Sequence, residues 1–374
     1  MTTYARNNAV ELLSDFYKKT DILVSSIHRR EIAFERWGDK RGPTLRPVYF
    51  ESKEELQTFL TKYPYAGAYS STAYYLDPNE IDMKKKGHQG NDLIFDLDES
   101  TGDCRRYDFI EKMAKQTQSL VDDFLINDFG IDPENILVDI SGNKGFHITI
   151  DSEAFKYLTQ SNRRQMIDYI MGIGVNNNIL FPKGNSGSYT SPTKCGGWRH
   201  HARQKMDDLL EITSDSSEVQ TITDFGFPKV RAKKISGLLA DDNVRNGLQK
   251  GHLGGLVAGD VKILYDLQNV VMRSHKQGLA KVIDRAVTVD KSRLFRIPGT
   301  IHRKSGLPCT RIDVEDLESP DIIVEKMMDL LGNDLVEIEL SKEVTVDLYE
   351  TLTYSAGKHT LPKHQAIPAL IYDM

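Results

Sequence analysis

Residues 92–98 read Asp92-Leu-Ile-Phe-Asp96-Leu-Asp98. Successive side chains of an extended chain point to opposite faces, so Leu93, Phe95 and Leu97 share one face and Asp92, Asp96 and Asp98 the other. That is the pattern of a strand with one side in a core and the other carrying charge. Further along, Ile136–Ile140 and Phe146–Ile150 are two apolar runs of strand length, joined by Ser141-Gly-Asn-Lys-Gly145, a connection of hairpin length. Between strand and hairpin, Ile110, Met113, Leu120, Phe124 and Leu125 recur at helical spacing over 106–129 and stop at Gly130. A strand, an amphipathic helix and a hairpin predict a sheet with a helix across its apolar face, an α+β arrangement.

Outward from this nucleus, Val10, Leu12, Leu13, Phe16 and Tyr17 predict an N-terminal helix within 1–27. Residues 28–50 read as strands around a basic loop, 51–63 as a helix, 66–75 as a strand and its exit, and 77–91 as a loop. From 152 to 275 strand signals disappear, and the stretches 161–174, 198–212 and 259–274 read as helices. Strand character returns at Ala286–Val289, Arg293–Ile297 and Cys309–Val314, and 320–332 reads as a helix. The organisation expected is a discontinuous core, 1–151 with 276–345, a mainly helical insertion, 152–275, and a tail, 346–374, holding little more than a short strand.

The chain has 374 residues, 39% hydrophobic and 27% charged, which suits a globular protein and excludes disordered and fibrous classes. No run reaches the roughly 18–20 apolar residues of a membrane span, and the N-terminus lacks a signal or transit pattern. A cytoplasmic protein is expected. The formal charge of −6 excludes a general polycation but not a basic groove within an acidic surface. Cys104, Cys195 and Cys309 lie far apart, so no disulfide framework is expected. Cys195 followed by His200 and His201 invites a zinc reading, but a four-ligand site would need further ligands from unrelated segments, so no structural zinc is expected.

Two carboxylates at i and i+2 on one strand face, Asp96 and Asp98, are suited to sharing divalent cations through hard oxygen ligands. In the turn after them, Ser141, Lys144 and His147 supply donors to phosphate oxygens. Gly142 and Gly145 permit close backbone approach, and free N–H groups there can form a nest, although an ordinary hairpin turn uses the same residues. Arg296, His302 and Lys304 surround a Pro-Gly turn after an apolar strand and form a second donor-rich rim suited to a polyphosphate. Asp284 could complete a carboxylate trio with Asp96 and Asp98, whereas Asp290, followed by Lys291 and Arg293, reads as a solvated turn.

These blocks carry a resemblance. Arg30-Glu31-Ile-Ala-Phe34, the 92–98 strand, Ser141-Gly-Asn-Lys-Gly-Phe-His147 and Arg293-Leu-Phe-Arg-Ile-Pro-Gly-Thr-Ile-His302-Arg-Lys304-Ser-Gly306, in this order, resemble the small catalytic subunit of archaeal and eukaryotic-type DNA primases over about residues 25–315. The resemblance implies a primase-polymerase core of two small β-sheets with flanking helices and an RRM-like element, interrupted by a variable helical region. It implies Asp96, Asp98 and Asp284 as catalytic, metal-binding carboxylates. It implies Ser141, Gly142, Lys144, His147, Arg296, His302 and Lys304 as nucleotide-binding residues, with Arg30 in a nearby basic block. Asn143 stands where the family usually has arginine. The zinc knuckle common after the acidic strand has no counterpart, since that region holds only Cys104.

The chemistry implied is nucleotidyl transfer with two Mg²⁺ or Mn²⁺ ions, using nucleoside triphosphates on a single-stranded DNA template, with a large regulatory subunit as partner. Basic stretches at Arg29–Arg46 and Lys229–Lys234 are candidate template contacts. Three other readings share parts of this pattern. A metal-dependent glycosyltransferase also uses an acidic Asp-x-Asp pair, a noncatalytic nucleic-acid-binding subunit would need no carboxylates, and a plasmid or repair polymerase of the same superfamily would extend primers without starting them.

Overall fold

The computed structural model describes residues 3–38, 42–181, 196–212, 218–250 and 256–374. The chain begins with α1 (Thr3–Lys19), β1 (Ile32–Glu35), β2 (Leu45–Val48), α2 (Lys53–Lys62), β3 (Gly67–Ser71), β4 (Ala73–Tyr75), β5 (His88–Asn91) and β6 (Leu93–Asp98). It continues through α3 (Tyr107–Ser119), β7 (Ile136–Ile140) and β8 (Gly145–Ile150). Among the described residues the helices α4 (Glu153–Lys156), α5 (Gln160–Ile170), α6 (Asn177–Leu180), α7 (Trp198–Ile212), α8 (Glu218–Asp224), α9 (Lys229–Leu239), α10 (Asp242–Lys250) and α11 (Ala258–Val282) follow. The remainder is α12 (Arg285–Val289), β9 (Leu294–Arg296), β10 (Thr310–Ile312), α13 (Pro320–Leu331), β11 (Leu335–Leu340), β12 (Val344–Asp347), β13 (Thr351–Tyr354), β14 (Gly357–Pro362) and α14 (Lys363–Asp373). No helix among the described residues is long and apolar enough to cross a membrane.

Contacts divide the chain into two compact units. Met1–Val121, Asp132–Gln165 and Val282–Met374 form the first, and Asp122–Ile131 with Met166–Lys281 the second. Two four-stranded antiparallel sheets, in the orders β2-β1-β3-β9 and β10-β7-β8-β6, build the first unit, with three two-stranded ribbons beside them. This is the α+β class with two small sheets that the sequence predicts.

The second sheet realises the period-2 pattern across four strands. Leu97, Phe146, Ile140 and Thr310 stand side by side in one row, and Phe95, Ile148, Val138 and Ile312 in the next. All eight are buried, and Phe109, Ile110 and Met113 of α3 add the buried helical stripe that such a face requires. The opposite face carries Asp96, His147, Asp139 and Arg311 as one cross-strand row. Gly145 stands opposite Asp98, and a Cβ there would fall 1.9 Å from the Leu97 carbonyl oxygen, so β6 and β8 can meet at the acidic end only because this residue has no side chain.

Three local expectations are corrected. Ala286–Val289, expected as a strand, is the short helix α12, because the Asp284 carboxylate accepts from the N–H groups of Ala286 (2.9 Å) and Val287 (3.1 Å) and so caps a helical turn. The expected loop 77–91 ends in β5, which pairs with β4. The tail is far more ordered than a short strand. It forms the β11–β14 and β12–β13 ribbons and the helix α14, whose Ala366, Ile367, Ala369 and Leu370 are buried. Pro368 inside α14 hides that helix from propensity arguments.

Residues 152–165 group with the first unit, tied there by buried Arg163, which donates to the carbonyls of Asp92 (2.9 Å) and Asn91 (3.2 Å). The second unit is helical, with Met206, Leu209, Ile222, Ile235, Leu264 and Leu267 among its core residues. Within it, fully buried His201 donates through Nε2 to Asp128 (2.7 Å), which also accepts from the Tyr169 hydroxyl (2.8 Å). His201 is thereby held by a carboxylate, and Cys195 lies outside the described residues.

Gly145→Ala should destabilise the first unit by about 2–4 kcal/mol, since the added methyl meets backbone rather than a movable side chain. Urea denaturation of the variant beside wild type measures it, and an unchanged midpoint would contradict the close β6–β8 approach.

Candidate active site

The acidic end of β6, the β7–β8 turn and the β9 strand with its exit loop meet around a cleft of about 230 Å³. Its lining includes Asp96, Asp98, Ser141, Lys144, His147, Arg296 and His302 from the sequence expectations, and adds Tyr69, Asn143 and Arg293. Residues separated by some two hundred positions are brought together because β6 and β8 are neighbours in one sheet while β9 pairs with β3 in the other.

The carboxylates are held in a setting that resists their ionisation. Burial pushes the Asp96 carboxyl up to about 7, the Asp284 carboxylate adds to the rise, and Arg293 opposes it. Burial, then the charge of Asp96, raises Asp98 to about 6. Asp284 is placed beside Asp96 by its own N–H, which donates to the Asp96 carbonyl (2.8 Å), and by the bridge between Leu97 and Ile283. Its Oδ1 is turned to cap α12 and it does not line the cleft. Among the described residues no three His, Cys, Asp or Glu side chains converge as a ready coordination sphere. The donor set is nevertheless all carboxylate oxygen, the chemistry of a Mg²⁺ or Mn²⁺ site, and a divalent cation would offset the burial and the neighbouring negative charge that raise the two carboxyls.

The turn between β7 and β8 is locked from within. Ser141 Oγ accepts from the N–H groups of Asn143 (3.3 Å) and Gly145 (3.2 Å), so two of the N–H groups expected to form an outward nest point inward instead. Gly142 takes a φ of 73°, and a Cβ there would sit 2.8 Å from the Leu307 carbonyl oxygen, against the loop that carries His302. Lys144 donates from Nζ to the Ser100 carbonyl (2.8 Å).

The opposite rim is built around Arg296, buried and oriented by two acceptors, the Tyr69 hydroxyl (2.8 Å) and the Ile301 carbonyl (3.1 Å), and by the face of the Tyr69 ring. Tyr69 donates in turn to Glu35 (2.9 Å), which pairs with Arg303 (2.9 Å). Sequence reasoning missed Tyr69, Glu35 and Arg293. The first two act through contacts that no local spacing reveals, whereas Arg293 lies inside the quoted basic block.

Both histidines of the cleft are neutral. Burial pulls His302 down to about 2, with Arg296 and Lys304 adding to the fall. The Lys304 N–H points at His302 Nδ1 (3.3 Å), which places the ring proton on Nε2 and leaves an N–H donor rather than a cation. Burial likewise lowers His147 to about 4, Asp139 opposing and Arg296 assisting. His147 stands with Nε2 3.6 Å from Asp96 and its ring edge-on to Phe295.

Lys304 itself is exposed and does not line the cleft. Arg30 lies outside the cleft of Asp96. Its guanidinium is buried, donating to Ser25 O (2.7 Å), Ser71 O (2.8 Å) and the Tyr74 hydroxyl (2.7 Å) and pairing with Asp92 (2.7 Å), so it clamps β1, β3 and the start of β6 and lines a neighbouring cleft. Asp92 shares a face with Asp96 and Asp98 but is consumed by that pair. In the second basic stretch Arg231 and Lys234 are ion-paired with Asp266 and Asp260.

The cleft thus sets an acidic strand end against a cationic rim, a donor set suited to a divalent cation and a polyphosphate. The family model described as DNA primase small subunit matches residues 95–314, which hold every cleft residue except Tyr69. The chain is 31% identical over 371 residues to the DNA primase small subunit PriS of Methanococcoides burtonii, covering 94% of this chain and 93% of that one. It is 27% identical to the protein of that name in Haloarcula marismortui, over 94% and 93%, and 28% identical to that of Methanospirillum hungatei, over 95% and 92%. The chain belongs to the DNA primase small subunit family, whose members are nucleotidyltransferase-type enzymes of DNA replication.

Because the folded state holds the Asp96 and Asp98 protons more tightly than the unfolded chain, their ionisation costs stability above about pH 7, and that cost is relieved as pH falls toward the ordinary carboxylate range. In EDTA, Asp96→Asn should therefore be more stable than wild type at pH 8 by about 1–3 kcal/mol, with the gain shrinking by pH 5. Denaturant titrations at the two pH values test the sign.

Proposed function

We propose that this chain synthesises short RNA primers on single-stranded DNA by template-directed nucleotidyl transfer from nucleoside triphosphates, releasing pyrophosphate. The observation that carries this reading is the single cleft in which Asp96 and Asp98 face Ser141, Lys144, Arg296 and His302. Two divalent ions, Mg²⁺ or Mn²⁺, held by Asp96, Asp98 and Asp284 would supply a lowered pKa for the attacking 3′-hydroxyl and neutralise charge on the triphosphate.

The chain's own residues do the rest by position. Asp96 and Asp98 act as the ionised pair, so their raised pKa values make the site fully competent only above about pH 7 unless a cation draws their protons off. Arg296, held rigid by Tyr69 and Ile301, presents fixed positive charge to the phosphates, and neutral His302 donates Nε2–H to a phosphate oxygen. Ser141 and Lys144 bound the triphosphate on the other side. The 3′-hydroxyl oxygen attacks the α-phosphorus in line, the new P–O bond forming as the bond to pyrophosphate breaks. No protein nucleophile takes part. As in the family generally, a large regulatory subunit is the partner expected.

Incorporation of labelled ribo- and deoxynucleotides on an unprimed single-stranded template, with Mg²⁺ or Mn²⁺, tests the reading. Wild type should make product and Asp96→Ala none, while normal synthesis by Asp96→Ala at saturating metal would end the assignment. Extension of a supplied primer without unprimed synthesis would favour a polymerase that does not initiate, or initiation that needs the partner. His302→Ala should raise the nucleotide KM about tenfold, the loss of one hydrogen bond to a charged group, and steady-state kinetics that leave KM unmoved would remove His302 from the triphosphate site.

A further inference from the structure

The cross-strand row behind the acidic pair runs Asp96 on β6, His147 on β8, Asp139 on β7 and Arg311 on β10, each opposite the next in register. Asp139 is buried, and Arg311 grips both its oxygens, Nε to Oδ1 at 2.6 Å and a terminal nitrogen to Oδ2 at 3.1 Å. Neither residue lines the catalytic cleft. They line a neighbouring cleft of about 310 Å³ that shares only His147, Phe295 and Arg296 with it. Asp139 therefore stands two strands, about 10 Å, from Asp96, too far to bind the same ion but near enough for its charge to be felt by a triphosphate in front of His147.

The sheet does not depend on this pair for its apolar core. The other face of these four strands already carries its apolar core, and a buried ion pair contributes little that apolar residues of similar volume could not. What the pair controls is charge. Without Arg311 the row would present a further uncompensated carboxylate beside a site that must accept a polyanion, and without Asp139 it would present a free guanidinium there.

We infer that Asp139 and Arg311 are positioning residues for nucleotide binding, Arg311 holding the charge of Asp139 off the anionic substrate that His147 faces. This rests on the primase reading of the cleft. It makes a prediction that a merely structural pair does not, namely that removing either partner shifts nucleotide affinity in opposite directions. A structural pair would weaken binding, or leave it alone, in both variants.

The experiment measures the KM for ATP in unprimed incorporation, and the Kd of ATP with Mg²⁺ by equilibrium dialysis, for wild type, Arg311→Met, Asp139→Asn and the double variant. Arg311→Met should raise both constants about five- to tenfold with kcat within twofold of wild type, Asp139→Asn should lower them about two- to threefold, and the double variant should return near wild type. Shifts of the same sign in the two single variants, no shift in either, or failure of the double variant to recover would overturn the inference. If Arg311→Met does not fold, the near-isosteric Asp139→Asn decides alone by whether binding tightens. Wild type that binds ATP but incorporates nothing on either an unprimed or a primed template would defeat the primase reading while the sign pattern in Kd still judged the pair, and wild type that binds no ATP would defeat both.

Discussion

The close contact of β6 with β8 is the constraint on which the rest depends. Gly145 lets the two strands meet at their ends, and the register that follows sets Asp96 beside His147 and Asp98 beside the Ser141–Gly145 turn. Because side chains alternate, the same register sends Leu97 and Phe95 into a shared apolar layer with Phe146 and Ile148. A shift of one residue would exchange the two faces and bury the carboxylates in the core. Core and chemistry are thus specified by one pairing.

The electrostatic character of the cleft follows from its burial. The carboxyls of Asp96 and Asp98 are held high, near 7 and 6, and the imidazoles of His147 and His302 low, near 4 and 2, so these four groups resist their charged forms. Arg296 is held in orientation within this setting by Tyr69 and Ile301, which accept from its guanidinium. Burial of these two carboxyls thereby ties the stability of the fold to pH through the same two residues.

Part of this was legible in the chain itself. The alternation in 92–98 and the apolar runs around 141–145 marked strands and their turn, and the paired aspartates and donor-rich loops marked the two rims of one site. The resemblance to primase small subunits rested on those same blocks, and the family comparison agrees with it. Asp284 was legible as a carboxylate but not as a helix cap, because the β-branched Val287, Thr288 and Val289 favour a strand until the Asp284 side chain meets the backbone N–H groups behind it. The C-terminal ribbons were obscured by short, weakly apolar strands, and α14 by Pro368.

By itself, then, the amino-acid sequence determined the α+β class, the acidic strand, the Gly-bracketed turn and the residue types that suit metal and polyphosphate, since each depends on neighbours two to four positions apart. Only the tertiary structure decided that Arg30 clamps Asp92, that Tyr69 and Glu35 stand behind Arg296, and that Asp139 and Arg311 extend the row beyond His147. These are contacts between residues from 34 to 227 positions apart. Their partners are chosen by strand order and register, which no local period encodes.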